Sequence, residues 1–305
     1  MNFSVVIPTY NAGNMWDEVI SSIKKQSMQP EKVIVIDSNS TDGTVLMARN
    51  AGFYVHSIQK QYFDHGGTRT KALELVETDL VIYMTQDAIL HDNESIARLI
   101  SCFRHENVGA VYGRQLPHVD ANPLAIHARL SNYGDKSYMT SLDDEFPKGF
   151  RKAFMSNSFS CYRVDMLRSL GGFPQKLILG EDSYIAARML MDGVSVGYES
   201  TATARHSHNY SAIEEFKRYF DIGVFHRTQD WMLTGLGNVE GEGVKFAVGQ
   251  IVYFIKNKQF KWAILSCVSS GAKYLGYKLG KNYTKLNKNT CRKLSMYKGY
   301  WGDVS

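Results

Sequence analysis

Over the first ninety residues, short apolar runs alternate with stretches whose apolar positions recur at helical spacing. FSVVIP, starting at Phe3, is an apolar run ended by Pro8, and WDEVISSIKKQ follows with helical spacing. KVIVID ends at Asp37, after which SNSTDGT leads into TVLMARNAG, a helical stretch closed by Gly52. FYVHSI reads as a third strand, TRTKALELVE as a third helix and DLVIYMTQDA as a fourth strand. This alternation predicts βαβ units and a mostly parallel sheet. After about Gly113 the pattern is irregular and reads as loops and short helices, the usual setting of a substrate-binding segment. FSCYRVDMLRSLGGF then predicts a strand running into a helix stopped by Gly171 and Gly172. LGEDSYIAARMLMDG predicts a helix with Glu181 and Asp182 in its first turn. Beyond His208 the chain reads as helices.

The composition is ordinary for a globular protein: 305 residues, 44% hydrophobic and 21% charged. It allows one large domain or two smaller ones. The start, MNFSVVIPTYN, has no basic n-region, so no signal peptide is expected, and no apolar stretch is long enough to span a bilayer. Four scattered cysteines indicate neither a zinc site nor a disulfide framework, which fits a reducing cytoplasm. The net charge of +5 is unevenly placed: from Lys245 onward there are twelve Lys/Arg and one acid, Asp303, against 23 basic and 29 acidic residues before it. Such a block suits an anionic membrane face or nucleic acid, or remains a solvated surface. There is no GxGxxG and no GxxxxGK[ST], so dinucleotide and P-loop readings lose support.

The fourth apolar run, Leu80 to Met84, passes directly into Thr85, Gln86 and Asp87. In open α/β sheets the ligand crevice lies outside the carboxyl ends of the strands, which makes Asp87 a candidate ligand group. Capping of the turn is the simpler role for such an aspartate. FSVVIPTYNAG, VIVIDSNSTDGT, TQDA and GEDSYIAARML, in this order, resemble an inverting glycosyltransferase of family 2, over roughly residues 1 to 210. FDHGGTRTKAL and HSHNYS resemble more particularly the rhamnosyltransferases of bacterial surface-polysaccharide assembly. The resemblance implies a GT-A-like, Rossmann-type α/β/α sandwich with a mainly parallel central sheet over residues 1–210. Residues 211–305 would form a helical, basic C-terminal region serving membrane association or oligomerisation.

The resemblance places Pro8, Thr9 and Tyr10 against the nucleotide. Asp37, followed by Ser38, ends the second strand, where a carboxylate can accept the imide N–H of uracil or thymine. Its alternative role is a helix N-cap, which Ser38, Ser40 or Asp42 could fill instead. At His65, Gly66, Gly67 and Arg69, the glycines would let the backbone approach a ligand and the arginine would reach the diphosphate or sugar. A simple turn with a surface arginine is the alternative. The family's fourth strand usually ends in Asp-x-Asp, whose last carboxylate binds a divalent metal; the triplet here, Thr85-Gln86-Asp87, keeps only that last acid. Mg2+ or Mn2+ is expected on Asp87 and His206, with His208 on the same face if the segment is a strand. Asp182 matches the family's catalytic base, Glu181 could share its proton network or bind the acceptor, and Arg188 resembles the arginine that neutralises the leaving diphosphate. Acids at a helix start also simply complement the helix dipole.

The donor implied by FDHGGTR and QDA is dTDP-L-rhamnose, with UDP-galactose or UDP-N-acetylglucosamine as alternatives. The implied acceptor is a lipid-linked oligosaccharide at the inner face of the cell membrane, where the enzyme would be peripherally bound. The lysine- and aromatic-rich block from Lys256 to Lys298 would supply that binding, or else pack on the catalytic domain or a second subunit. A nucleotidyltransferase would open with a glycine-rich loop where this chain has PTYN. A noncatalytic nucleotide-binding module is expected to lose Asp87 or Asp182, and both are present. Nucleic acid has no role in this reading.

Overall fold

A computed structural model describes residues 1–237 and 241–302; Asp303, the one acid of the basic block, lies outside them. Nine strands are found among the described residues: β1 (Phe3–Thr9), β2 (Lys32–Asp37), β3 (Tyr54–Ser57), β4 (Leu80–Met84), β5 (Ile89–Leu90), β6 (Val108–Leu116), β7 (Tyr138–Thr140), β8 (Phe159–Arg163) and β9 (Ser195–Arg205). They form one sheet in the order β3-β2-β1-β4-β8-β6-β9-β5, with β7 also on β9. The sheet is parallel from β3 to β4 and mixed beyond, because β8 runs antiparallel between β4 and β6 while β9 is parallel to β6.

The helices that cover it are α1 (Trp16–Lys24), α2 (Thr44–Asn50), α3 (His65–Leu73), α4 (Ser95–Ser101), α5 (Pro123–Asn132), α6 (Val164–Ser169), α7 (Glu181–Met191) and α8 (Ala212–Thr228). Four more follow: α9 (Asp230–Leu236), α10 (Glu242–Lys256), α11 (Phe260–Lys281) and α12 (Lys288–Leu294). Successive side chains of a strand point to opposite faces, so each central strand feeds two cores. Val5, Ile7, Val35 and Ile82 pack with Trp16, Val19 and Ile23 of α1 and Leu99 of α4. Val6, Ile34, Val81 and Tyr83 pack with Leu73 of α3, Ile185 and Leu190 of α7, and Phe220 and Val224 of α8. Burial on both faces explains why these strands read as unbroken apolar runs.

Three elements differ from the sequence expectation. Strand β6 continues past Gly113 to Leu116 through a register shift, and a Cβ at Gly113 would overlap Phe159 and the carbonyl of Ala202. Strand β9 has no counterpart in the sequence expectation, because its inward positions include Ser200, Ala202 and Ala204, too polar or too small to mark an apolar face. Helix α3 begins at His65, so Gly66 and Gly67 lie inside a helix and not in a loop.

Residues from α8 onward share the core of the sheet. Phe220, Val224, Phe225 and Trp301 belong to the same apolar cluster as the sheet face. Asp221 is buried and accepts hydrogen bonds from the backbone N–H groups of Met296 and Tyr297 at 3.0 and 2.9 Å, which brings the end of the chain back onto α8. Helix α11 lies along α8 in close backbone contact, since a Cβ at Gly276 or Gly280 would overlap the carbonyls of Phe216 and Phe220. A methyl group placed there must push the helices apart. Gly280→Ala is expected to lower unfolding stability by about 1–3 kcal/mol despite alanine's better helix propensity. Urea denaturation followed by circular dichroism measures this, and an unchanged or raised midpoint would contradict the contact.

Candidate active site

The strand order puts the carboxyl ends of β1, β2, β4, β6 and β9 on one edge, where antiparallel β8 begins. A cavity of about 1510 Å³ lies over this edge. Pro8, Thr9, Tyr10, Ser38, His65, Arg69, Gln86, Asp87, Glu181, Asp182, His206 and His208 all line it. Residues spread over two hundred positions thus share one site.

Gln86 pins the end of β4 to the end of β1: its Oε1 accepts from Tyr10 N at 2.7 Å and its Nε2 donates to Tyr10 O at 3.2 Å. Gln86 is the middle residue of the triplet Thr85-Gln86-Asp87, in which Thr85 stands where the family has its first acid, and a carboxamide can both accept and donate in this way. Asp87 follows and faces two imidazoles, with His206 Nε2 at 3.4 Å from Oδ1 and His208 Nε2 at 3.8 Å from Oδ2. The three donor groups lie within 4.8 Å of one another. Burial opposes ionisation of Asp87, and a protonated His206, with Thr85 and His208, outweighs it and holds the carboxyl far below the usual carboxylate range. Burial pushes His206 down from its ordinary value, and burial together with His206 pushes His208 down to about 4. Both rings are therefore neutral near pH 7. Gln115 Nε2 donates to Ser156 Oγ at 2.7 Å, which leaves its Oε1 to accept from His206 Nδ1 at 3.0 Å. That tautomer turns a bare Nε2 toward a carboxylate. Facing acceptors of this kind fit a cation, and the Gln115 contact is the outer support that metal-binding histidines commonly have.

Across the cavity, the first turn of α7 carries two neighbouring carboxyls with opposite surroundings. Glu181 accepts from Arg69 Nη1 at 3.0 Å, both side chains being buried. Burial works against its ionisation, but the Arg69 guanidinium outweighs this and holds Glu181 below the usual carboxylate range. Asp182 lacks such a cation: its oxygens accept the backbone N–H groups of Asn157 at 3.1 Å and Ser183 at 2.8 Å. Burial and the Glu181 charge push it up to about 7. Two carboxyls driven apart in this way are the usual mark of an acid–base site.

Other expected residues sit differently. Asp37 is buried behind the cavity wall, accepting from Thr9 Oγ1 at 3.0 Å and Ser40 N at 2.8 Å; Asp42 rather than Asp37 accepts from Thr44 N at the start of α2. Gly66 and Gly67 are not in the wall. Gly66 lies against the Pro174 carbonyl, which a Cβ would overlap, and Gly67 N donates to the capping Asp64 at 2.6 Å. Arg188, two turns along α7, is also away from the cavity lining.

Residues 4–171 match the profile of "Glycosyl transferase family 2". The chain belongs to glycosyltransferase family 2. As a member of that family it is an inverting glycosyltransferase, as the resemblance implied. It is 45% identical over 306 residues to the O-antigen chain rhamnosyltransferase RfbN of Salmonella typhimurium, covering 100% of this chain and 97% of that one. It is likewise 45% identical over 305 residues to the O-antigen chain rhamnosyltransferase WbaN of Salmonella anatum, covering 99% and 96%. Among solved structures, the mannosyltransferase PcManGT of Pyrobaculum calidifontis superposes with a TM-score of 0.58 at 16% identity over 98% of this chain and 84% of that one. TarS 1-349 of S. aureus does so at 0.56 and 17% identity, over 93% and 91%. These likenesses show a shared GT-A-like fold.

The fold also brings to this glycosyltransferase's cavity Lys60, Gln115, Arg129, Asn157 and Arg218, which sequence reasoning missed, and Lys273, Tyr297 and Lys298, which it had assigned to the membrane-binding block. Gln115 ends a strand on the same edge, so the rule that singled out Asp87 would have found it had β6 been read to its end. Arg129 and Arg218 carry no local signal in the sequence. The buried ion pair gives a direct test. Arg69→Gln strands Glu181 as an uncompensated buried charge and is expected to cost about 3–5 kcal/mol of stability. Pairing it with Glu181→Gln should recover much of that loss, as read in urea denaturation of the double-mutant cycle. Additive losses would mean that the two residues do not depend on each other.

Proposed function

We propose that this enzyme transfers L-rhamnose from dTDP-L-rhamnose to a hydroxyl of a lipid-linked saccharide, inverting β to α at the anomeric carbon. The observation that carries the reading is the likeness to two O-antigen chain rhamnosyltransferases over essentially the whole chain. The acceptor would be met at the cytoplasmic face of the membrane by the basic C-terminal region.

In this reading the nucleotide lies along Pro8, Thr9, Tyr10 and Ser38, with Asp37 shaping the base pocket from behind. The acceptor hydroxyl attacks the anomeric carbon as the bond from that carbon to the diphosphate oxygen breaks. Asp182 Oδ takes the hydroxyl proton, and dTDP leaves with the bonding pair. Glu181 stays ionised on Arg69 and keeps Asp182 basic enough for that work. Asp87, His206 and His208 would hold a divalent metal. When bound, it supplies positive charge beside the diphosphate. One carboxylate with two imidazoles suits Mn2+ better than Mg2+, which prefers oxygen ligands throughout.

The proton-accepting form of Asp182 is the ionised one, so kcat/KM should climb with pH through about 7 and level off above it. Asp182→Asn should lose about 10²–10⁴ in rate and flatten that limb, while titration calorimetry finds dTDP-rhamnose still bound. Near wild-type turnover in the variant would remove Asp182 from the mechanism. Tight binding of UDP-galactose or UDP-N-acetylglucosamine, with none of dTDP-rhamnose, would remove the donor.

The metal is read without turnover, from the loss of the free Mn2+ paramagnetic resonance signal on adding protein. Asp87→Asn and His206→Ala should each abolish that loss, and Mg2+ should compete weakly. Mn2+ binding that survives both substitutions would locate the ion elsewhere.

A further inference from the structure

Helix α11 is amphipathic in the reverse sense of a water-soluble helix. Its inner face, against α8, carries the small residues Ala263, Ser266, Ser269, Gly276 and Gly280. Its outer face carries Phe260, Ile264, Val268, Leu275 and Leu279, all exposed, with Ile264 at 65%. Helix α10 repeats this: Gln250 and Phe254 turn inward, the latter against His127 of α5, and Val244, Val248, Val252 and Ile255 stand exposed. The two helices form a hairpin, with Ser266 Oγ donating to Gln250 Oε1 at 2.8 Å across it. A soluble monomer normally turns such stripes into its core, and a contiguous exposed apolar face marks an interaction surface.

The charged residues of the hairpin are lysines apart from Glu242 in the first turn of α10, which is paired with Arg151 at 3.4 Å. Lys256, Lys258 and Lys261 surround the hairpin turn, Lys245 and Lys278 lie toward its other end, and no Asp or Glu occurs between Lys245 and Gly302. A twofold contact with a second copy would set this patch against itself, lysines facing lysines with no carboxylate to pair. An anionic lipid surface meets both features, with headgroups for the lysines and acyl chains for the stripes. We propose that the α10–α11 hairpin is the membrane-docking face of this enzyme, seated in the headgroup region of an anionic bilayer. Among the described residues no helix is long and apolar enough to cross a membrane, so the hairpin lies along the surface.

The inner side of the same hairpin forms a wall of the cavity through Gln250, Ser269 and Lys273, and Lys273 is held by Glu215 at 3.0 Å. One helix diameter, about 10 Å, therefore separates lipid from active-site space. A saccharide still attached to its lipid could enter from beside the hairpin without leaving the bilayer. This purpose rests on the lipid-linked acceptor proposed above. The docking face does not, and its test uses neither donor nor acceptor.

Full-length protein is co-sedimented with vesicles of phosphatidylcholine alone and of phosphatidylcholine with phosphatidylglycerol. Wild type should bind the anionic vesicles. Ile264→Gln/Val268→Gln/Leu275→Gln, at exposed positions that leave the fold intact by circular dichroism, should lose that binding. Lys256→Glu/Lys258→Glu/Lys261→Glu should weaken it by roughly 100-fold or more, from about fivefold per lysine removed. dTDP-rhamnose affinity, measured in parallel, should stay unchanged in both variants; loss of donor binding in wild type would fault the donor and not the docking face. Failure of wild type to bind either vesicle overturns the proposal. So does full binding by the glutamine variant, which would make the attraction purely electrostatic. A wild-type dimer in analytical centrifugation that the glutamine variant converts to monomer, without vesicle binding, assigns the face to a second copy and overturns it as well.

Discussion

The ion pair between Arg69 and Glu181, 3.0 Å long and buried, is the constraint from which the catalytic half of the cavity follows. Two carboxyls adjacent in one helical turn and shielded from water cannot both ionise without a cation close by. Arg69 pairs directly with Glu181, so the first acid stays charged, while burial and then the Glu181 charge push the second up to about 7. The position of Arg69 is itself overdetermined. Its Nη1 donates back to His65 O at 2.9 Å, its carbonyl accepts from Tyr83 OH at 3.1 Å, and helix α3 reaches Pro174 only because residue 66 has no side chain. A glycine, a helix start and a tyrosine in the sheet thus converge on the charge state of Asp182.

The opposite half is organised by strand ends. Gln86 ties β4 to β1, and Gln115 at the end of β6 orients His206 at the end of β9, so that Asp87 meets a bare imidazole nitrogen. Gln86, Asp87 and His206 sit one to three residues past a buried strand, and Gln115 is the next-to-last residue of one. There the sheet's hydrogen bonding fixes the backbone while the side chain is free to face ligand. Precision in the site is thereby borrowed from the sheet, and the loops between need only be long enough to return the chain.

What the sequence made legible follows the same division. Asp87 could be named because its place after a strand is a short-range pattern and the apolar runs of β1, β2 and β4 are long enough to read, whereas Asp182 and His206 were named through the resemblance to family 2. Strand β9 escaped because its inner face holds Ser200 and alanines, and Gly113 disguised β6 because a glycine needed for close packing looks identical to a glycine in a turn. The same ambiguity misplaced Gly66 and Gly67: their spacing suggested a ligand loop, and the structure uses them for a helix contact and a cap. Arg129 and Arg218 were invisible for a different reason. Their place in the cavity depends on how helices from distant parts of the chain pack, which no local window encodes.

The C-terminal region shows how one packing choice has distant consequences. Gly223, Gly276 and Gly280 let α8 and α11 approach until backbone meets backbone. Small inner residues leave nothing large to bury there, so the bulky aliphatic side chains of α11 occupy its outer face. The chain then returns: Asp221 holds the N–H groups of Met296 and Tyr297, the Tyr297 ring stacks edge-on against His65 with centroids 5.1 Å apart, and its hydroxyl donates to Phe63 O at 3.2 Å. Trp301 completes the core over Phe220. Cutting the chain before α10 would therefore strip a wall from the cavity, a ring from His65 and a large side chain from the core. For that reason the outer face of the hairpin can be dissected only by surface substitution, because the segment that meets the outside also closes the active site.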